Sequence, residues 1–182
     1  MPAVIETERL RLRLPELSDV DELAEAFGDP EVVRYLGGLT RTREDTIEVV
    51  ERMQAHWERY GSGLFTIERK EDAQVVGRAG ILVWDPRSWE NGMRAELDGP
   101  LETEIGWTLA RRHWGHGYAT EAALAARDWA LHELHPPRLI SLIHADNVRS
   151  RRVAEKLGER YERDVVTHGR PAQLWTTHVR RR

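Results

Sequence analysis

Two glycines one residue apart, Gly115 and Gly117, stand among Arg112, His113, Trp114, His116, Tyr118 and Ala119, between an extended apolar segment and a long helical pattern. Glycines so spaced let a backbone turn tightly and come close to a ligand. The N–H groups that open the following helix then point at whatever lies there. Arg111 and Arg112 add positive charge at the same turn, while His113 and His116 can donate hydrogen bonds without a full charge at neutral pH. Together these residues offer a cradle for a pyrophosphate. The dinucleotide fingerprint would need a third glycine or alanine and an acidic residue ending a strand about 20 positions on. Thr120 stands where that small residue would be and Asp128 falls inside the helical pattern, so that match fails. A turn with helix-capping glycines and no ligand would look the same locally, and only a second block of sequence separates the two.

That block exists. Arg112-x-x-Gly115-x-Gly117 resembles the Q/R-x-x-G-x-G/A signature of the GNAT acyl-CoA N-acyltransferases, and the run from Trp114 through Thr120-Glu121-Ala122 is similar to their RimJ/RimL branch. Asn147-Val148-Arg149-Ser150 followed by Val153-Ala154-Glu155-Lys156-Leu157-Gly158 resembles the branch's N-x-x-S-x-x-x-x-E-K-L-G. With Glu8-Arg9-Leu10 near the start, the resemblance covers nearly the whole chain.

The resemblance implies an α/β (α+β) fold of GNAT type: a central mixed, mostly antiparallel twisted sheet, splayed between the strands flanking the CoA-binding helix, with helices on both faces. The pantetheine arm of acetyl-CoA would lie in the splay like an added strand. Backbone groups of Trp107, Thr108 and Leu109 would bond its amides, those from Arg112 to Ala119 would hold the pyrophosphate, and Asn147 with Ser150 would face the thioester.

Acyl transfer to an amine needs the uncharged amine, whose lone pair is the nucleophile. At about pH 7 deprotonating a lysine-like amine costs roughly 4.6 kcal/mol, against about 1.4 kcal/mol for an α-amine. Glu104, on the strand before the cradle and at the position where many GNATs carry a general-base glutamate, is the candidate base. A solvent-facing carboxylate with no such role is the competing reading. Glu102 shares its face by alternation and is the reserve. Many GNATs also carry a tyrosine that protonates the leaving thiolate; Ala154 occupies the matching place here. Ser150 is the substitute candidate, with capping of the helix start as its bland alternative. Trp84 and Trp89, among seven tryptophans, bracket a long polar segment and are candidates for the acceptor pocket.

These residues need elements to position them. Leu10, Leu12 and Leu14 alternate with arginines, as in a strand with one buried face. Ser18 with Asp21 has capping-box spacing ahead of a helical stripe, Val20, Leu23, Ala24 and Phe27, that Asp29-Pro30 ends. Thr42 with Asp45 repeats the pattern before Ile47, Val50, Met53 and Trp57, and Gly61 and Gly63 stop that helix. Residues 64–69 and 75–84 read as a hairpin, 85–101 as a loop, and 102–110, 118–134 and 138–144 as a strand–helix–strand unit with the glycine turn at its crossover. Asn147 can cap the next helix and Gly158 close it, and 161–179 reads as a final antiparallel pair.

A length of 182 residues, without internal repeat or linker, suits a single domain over 1–182. The absence of cysteine excludes a disulfide framework, thiolate metal sites and a cysteine nucleophile, and suits a cytoplasmic protein. No export signal or membrane span is expected. A net charge of −4 speaks against non-specific nucleic-acid binding, the basic run at 180–182 notwithstanding. His132 and His135 are spaced wrongly for a zinc helix, and no metal is expected. The expected activity is acetyl transfer from acetyl-CoA to a primary amine, either a protein N-terminus or a small molecule, without an acyl-enzyme. Succinyl-CoA as donor and a non-catalytic acyl-CoA sensor are the alternatives, and a homodimer is left open.

Overall fold

The structure is a computed structural model that describes residues 4–178; the arginines at 180–182 lie outside them. The elements in chain order are β1 (Ile5–Glu6), β2 (Leu10–Arg13), α1 (Val20–Gly28), α2 (Pro30–Val33), α3 (Arg43–Tyr60), β3 (Leu64–Arg69), β4 (Val75–Trp84), β5 (Glu102–Leu109), α4 (Tyr118–Glu133), β6 (Arg138–Ile143), α5 (Val148–Lys156), β7 (Arg160–Thr167) and β8 (Arg170–His178). They build an eight-stranded sheet in the order β1-β2-β3-β4-β5-β6-β8-β7. Its one parallel pair is β5 with β6. The remaining neighbours are antiparallel. This is the mixed, mostly antiparallel sheet of the GNAT resemblance.

Alternation assigns the two faces. Ala79 and Ile81 of β4 and Ile105 and Leu109 of β5 pack with α4, whose Ala122, Ala123, Ala126 and Ala130 are fully buried. Small side chains let this helix lie close against the strands. On the other face Val20, Leu23 and Phe27 of α1 and Val49, Val50 and Met53 of α3 form a second core with Leu64. Arg78 and Leu82 of β4 and Glu104 of β5 belong to that face.

Two local expectations shift. Asp19, not Asp21, organises the start of α1: it is buried, accepts the Glu16 N–H at 2.9 Å and the Thr66 hydroxyl at 2.7 Å, and pairs with Arg13 at 2.6 Å. Asp21 is exposed and pairs with Arg43 instead, so the Ser18–Asp21 capping box does not form. Thr42 and Asp45 do cap α3 reciprocally, and Gly61 closes it in the left-handed conformation.

The decisive feature is how briefly β5 and β6 pair. Their register holds at Glu104↔Ile140 alone. Beyond it side chains replace the ladder: the Ser141 hydroxyl donates to the Ile105 carbonyl at 2.9 Å, and the Leu142 N–H donates to the Glu104 carboxylate at 3.3 Å. From there the strands part, and β5 has an edge that no strand among the described residues covers.

Candidate active site

The glycine turn lies at the end of that open edge. A short 3-10 turn, Arg111–His113, leads into Gly115 and Gly117, both with φ near +82°. Such a backbone is strained for any residue with a Cβ. A Cβ on Gly115 would meet nothing within 4 Å, so the turn faces open space there. The first bond of α4 runs from the Glu121 N–H to the Gly117 carbonyl, which leaves the N–H groups of Tyr118, Ala119 and Thr120 outside the helix ladder. These are the donors an anion would use.

Neighbouring side chains hold the turn in shape. Arg9 donates to the His116 carbonyl at 2.9 Å, pairs with Glu121 and lies over the Tyr118 ring, on which His116 also stacks. Trp114 donates its indole N–H to the Leu109 carbonyl at 2.9 Å, and the Arg149 guanidinium sits 4.0 Å over its ring. Arg112 is not a free cation: it donates to the His113 ring at 3.0 Å and contacts Glu25. His113 is buried, and that burial together with the Arg112 charge pushes its pKa down, favouring the neutral ring.

On β5 the Ala110 N–H donates to the Val76 carbonyl, which fixes the alternation. Thr108 therefore turns its backbone groups to β4, whereas Trp107 and Leu109 turn theirs to the gap. The expected run of three backbone contacts is thus reduced to Trp107 and the Leu109 N–H, because Thr108 is committed to the ladder. Thr108 borders the cavity without offering it a backbone group.

Where the strands part, a cavity of about 710 Å³ opens, bordered by Glu104, Trp107, Asn147 and Ser150. Glu104 is 7% exposed and accepts the Trp84 indole N–H at 2.6 Å. Burial pushes its carboxyl up to about 7, against the pull of the Trp84 and Leu142 hydrogen bonds and of the Arg78 charge. A group so poised holds and releases a proton near neutrality, which is what a base for an amine requires.

Ser150 reaches the same cavity, and it is its backbone N–H, not its hydroxyl, that Asn147 caps at 3.2 Å. The capping role therefore belongs to Asn147, and the Ser150 hydroxyl is not spent on it. Ala154 is fully buried against Ile143 and Trp175 and supplies no proton donor there.

Two expected pocket residues lie elsewhere. Glu102 pairs with Arg138, which also reaches Glu162 at 2.8 Å; held in this network, it does not border the Glu104 cavity, and its carboxylate is committed to Arg138 rather than free as a reserve base. Trp89 is buried beside Trp84, Val165 and Leu174 as core. Trp84 does border the cavity, and it orients Glu104.

Sequence reasoning passed over several residues. Glu159 is buried within 3.1 Å of the Ser141 hydroxyl, and burial, with Glu104 nearby, raises it to about 8. Tyr35 lies 5.2 Å from the His144 ring and donates to the Asp146 carbonyl at 3.3 Å, both rings bordering the cavity beside Ser150. Arg78 sits under the cavity floor, its guanidinium over Phe27. An arginine inside an otherwise apolar strand was the available signal for Arg78. Nothing local marks the others.

The comparisons with known proteins agree with this geometry. A family model described as Acetyltransferase (GNAT) domain matches residues 9–160. The uncharacterized protein YkkB of Bacillus subtilis is 36% identical over 170 residues, 93% of this chain and 92% of that one. The uncharacterized N-acetyltransferase p20 of Bacillus licheniformis is 31% identical, covering 83% of this chain and 79% of its own. A crystal structure of an acetyltransferase from Agrobacterium tumefaciens superposes with a TM-score of 0.79 at 29% identity, over 98% of this chain and 96% of that one. Fold, open strand edge and glycine turn thus meet a match that spans most of the sequence, and the chain belongs to the GNAT acetyltransferases, enzymes that transfer an acetyl group from acetyl-CoA.

Proposed function

We propose that this enzyme moves an acetyl group from acetyl-CoA to a primary amine by direct attack, with Glu104 as the base. The observation that carries this reading is the position of Glu104: buried, poised near neutrality, and set where β5 and β6 part, in one cavity with Ser150. Acetyl-CoA fits the residues present. The Trp107 and Leu109 backbone would pair with the pantetheine arm, and the open turn at Gly115 with the free N–H groups of α4 would take the pyrophosphate.

The amine nitrogen bonds to the thioester carbonyl carbon as its proton passes to the Glu104 carboxylate, directly or through water. The tetrahedral intermediate then collapses with loss of the CoA thiolate. Ser150, which borders the same cavity, would donate a hydrogen bond to the departing sulfur, though its hydroxyl is a weak acid. A base titrating near 7 suits an α-amine better than a lysine-like amine. That preference and the sequence blocks support an acceptor of the RimJ/RimL kind or a small α-amine. We place the reaction in the cytoplasm, where a cysteine-free acetyl-CoA enzyme is at home, and assign it to one domain spanning 1–182. Among the described residues no helix is long and apolar enough to cross a membrane, and no cluster of three or more potential metal ligands occurs.

Thiol release from acetyl-CoA and from succinyl-CoA, each with a panel of α-amines and lysine-like amines, tests the reading. Turnover is expected with acetyl-CoA and an α-amine. Turnover with succinyl-CoA alone would overturn the donor assignment, and thiol release that no amine accelerates would overturn acetyl transfer itself.

A further inference from the structure

Six arginines border the cavity that holds Glu104: Arg34, Arg41, Arg52, Arg78, Arg94 and Arg170. They come from separate places in the chain: the end of α2, the segment before α3, α3, β4, the 85–101 loop and the start of β8. Glu104 is the one carboxylate on the cavity wall among the described residues. Arg52 is partly neutralised by Glu48 at 3.0 Å, and Arg34 touches Glu31 only at 3.9 Å. Arg41, Arg78, Arg94 and Arg170 pair with no carboxylate among the described residues.

Arginines at a rim are commonly just solvated, and Arg94 and Arg170, which are exposed, would alone carry no argument. Arg78 differs. Its Nη1 is buried with no hydrogen-bond partner, and its guanidinium rests on the Phe27 ring at 4.6 Å. Arg41 lies near enough to repel it, and Glu104 attracts it from a distance without bonding it. A guanidinium whose Nη1 is buried and unbonded gains from an anion that can bond it, and the planar fork fits carboxylate and phosphate oxygens best. Arg78 stands opposite Thr108 on the sheet, four residues along from Glu104, or about 13 Å at strand spacing before the long side chains close the distance. A small molecule spans that gap with an amine at one end and an oxyanion at the other.

Resting on the acetyl-transfer reading above, we propose that the acceptor is a small primary amine that also carries a carboxylate or phosphate, and that the arginine wall, with Arg78 at its inner end, binds this oxyanion. The same wall repels polycations, so polyamines and aminoglycosides are poor acceptors.

Amine pairs, with kcat/KM referred in each case to the uncharged amine, test this through thiol release from acetyl-CoA: O-phosphoethanolamine against ethanolamine, aspartate against its diamide, with spermidine and a Ser-Ala-Ala amide as further arms. The anion-bearing member of each pair should win by about 10- to 100-fold in kcat/KM, the range of a charge-assisted hydrogen bond, and the margin should shrink as salt is raised. Arg78→Met and the exposed Arg170→Gln should narrow it through the KM of the anionic amine. Equal or better turnover of the neutral, peptide or polycationic arm overturns the proposal while leaving acetyl transfer intact. So does an Arg78→Met defect that falls on the KM for acetyl-CoA instead. Should no amine be turned over, acetyl transfer fails separately, and calorimetry of O-phosphoethanolamine on the CoA-loaded protein decides. Binding that Arg78→Met or Arg170→Gln weakens supports the wall; no binding overturns it.

Discussion

With Glu104 as the proposed base, a carboxyl poised near 7 would tie this enzyme's rate to pH in a particular way. As Glu104 ionises, kcat/KM for an α-amine should climb with an apparent pKa close to 7. Glu104→Gln keeps the shape and removes the titration. Its deficit should be largest around neutrality, on the order of 100-fold, and should narrow above about pH 8 as solution supplies neutral amine. A parent and a variant profile that run parallel across this range would remove Glu104 from the proton path. The same burial has a thermodynamic side. Glu104 and Glu159 both titrate higher folded than unfolded, so the folded chain holds more protons between the ordinary carboxylate range and about 7 or 8, and stability falls as pH rises through that window. Ser150 admits a cleaner test than its sequence position suggested. Because Asn147 caps its backbone N–H, Ser150→Ala should leave the melting temperature nearly unchanged, and a fall in kcat at constant acetyl-CoA KM would mark the hydroxyl's work on the leaving sulfur. Unchanged kcat would leave it none. Glu104 could be singled out in the sequence because the strand, the turn and the motif that place it are contiguous. Glu102, equally eligible by alternation, is taken by Arg138, more than thirty residues away and on another strand, and no local pattern announces that.

At the scale of elements, the strand–turn–helix unit from β5 through α4 was legible almost to the residue, since glycine spacing, alanine stripe and alternation all act locally. Gly115 offers the sharpest probe of what the turn is for. Gly115→Ala meets no atom within 4 Å, so the folded chain bears only the left-handed backbone penalty, about 1 kcal/mol. The KM for acetyl-CoA should nevertheless rise, because the new methyl stands in the space the turn leaves open. A destabilised variant with parental KM would make Gly115 a turn residue and nothing more. Where the element reading failed, a distant charge decided. Asp19 outcompeted Asp21 at the start of α1 because Arg13 and Thr66, on β2 and β3, satisfy a carboxylate only at that position.

Across the whole molecule, the sequence pattern foretold the strands from β2 onward and their local pairings, but neither β1 nor the full order. Insertion of β8 between β6 and β7 brings Arg170 and His168 to the rim of a cavity whose floor comes from β4 and β5. Arg78, Tyr35 and Glu159 acquire their neighbours in the same non-local way. The order also divides the sheet into a five-strand part and a three-strand part joined by one register position, the Ser141 and Leu142 bridges and the α4 crossover. A ligand pairing with the β5 edge would act as the missing rung between the two parts. Amide hydrogen exchange should therefore be fast at Trp107 and Leu109 in the free protein and slow once acetyl-CoA is added. Protection should spread into β6, which a donor in the gap would also border, and identical exchange with and without donor would refute the added-strand arrangement. Until the donor arrives, the wall that an acceptor would lean on is only half fastened. Acetyl-CoA binding first and the amine second is then the order in which each ligand finds a finished surface.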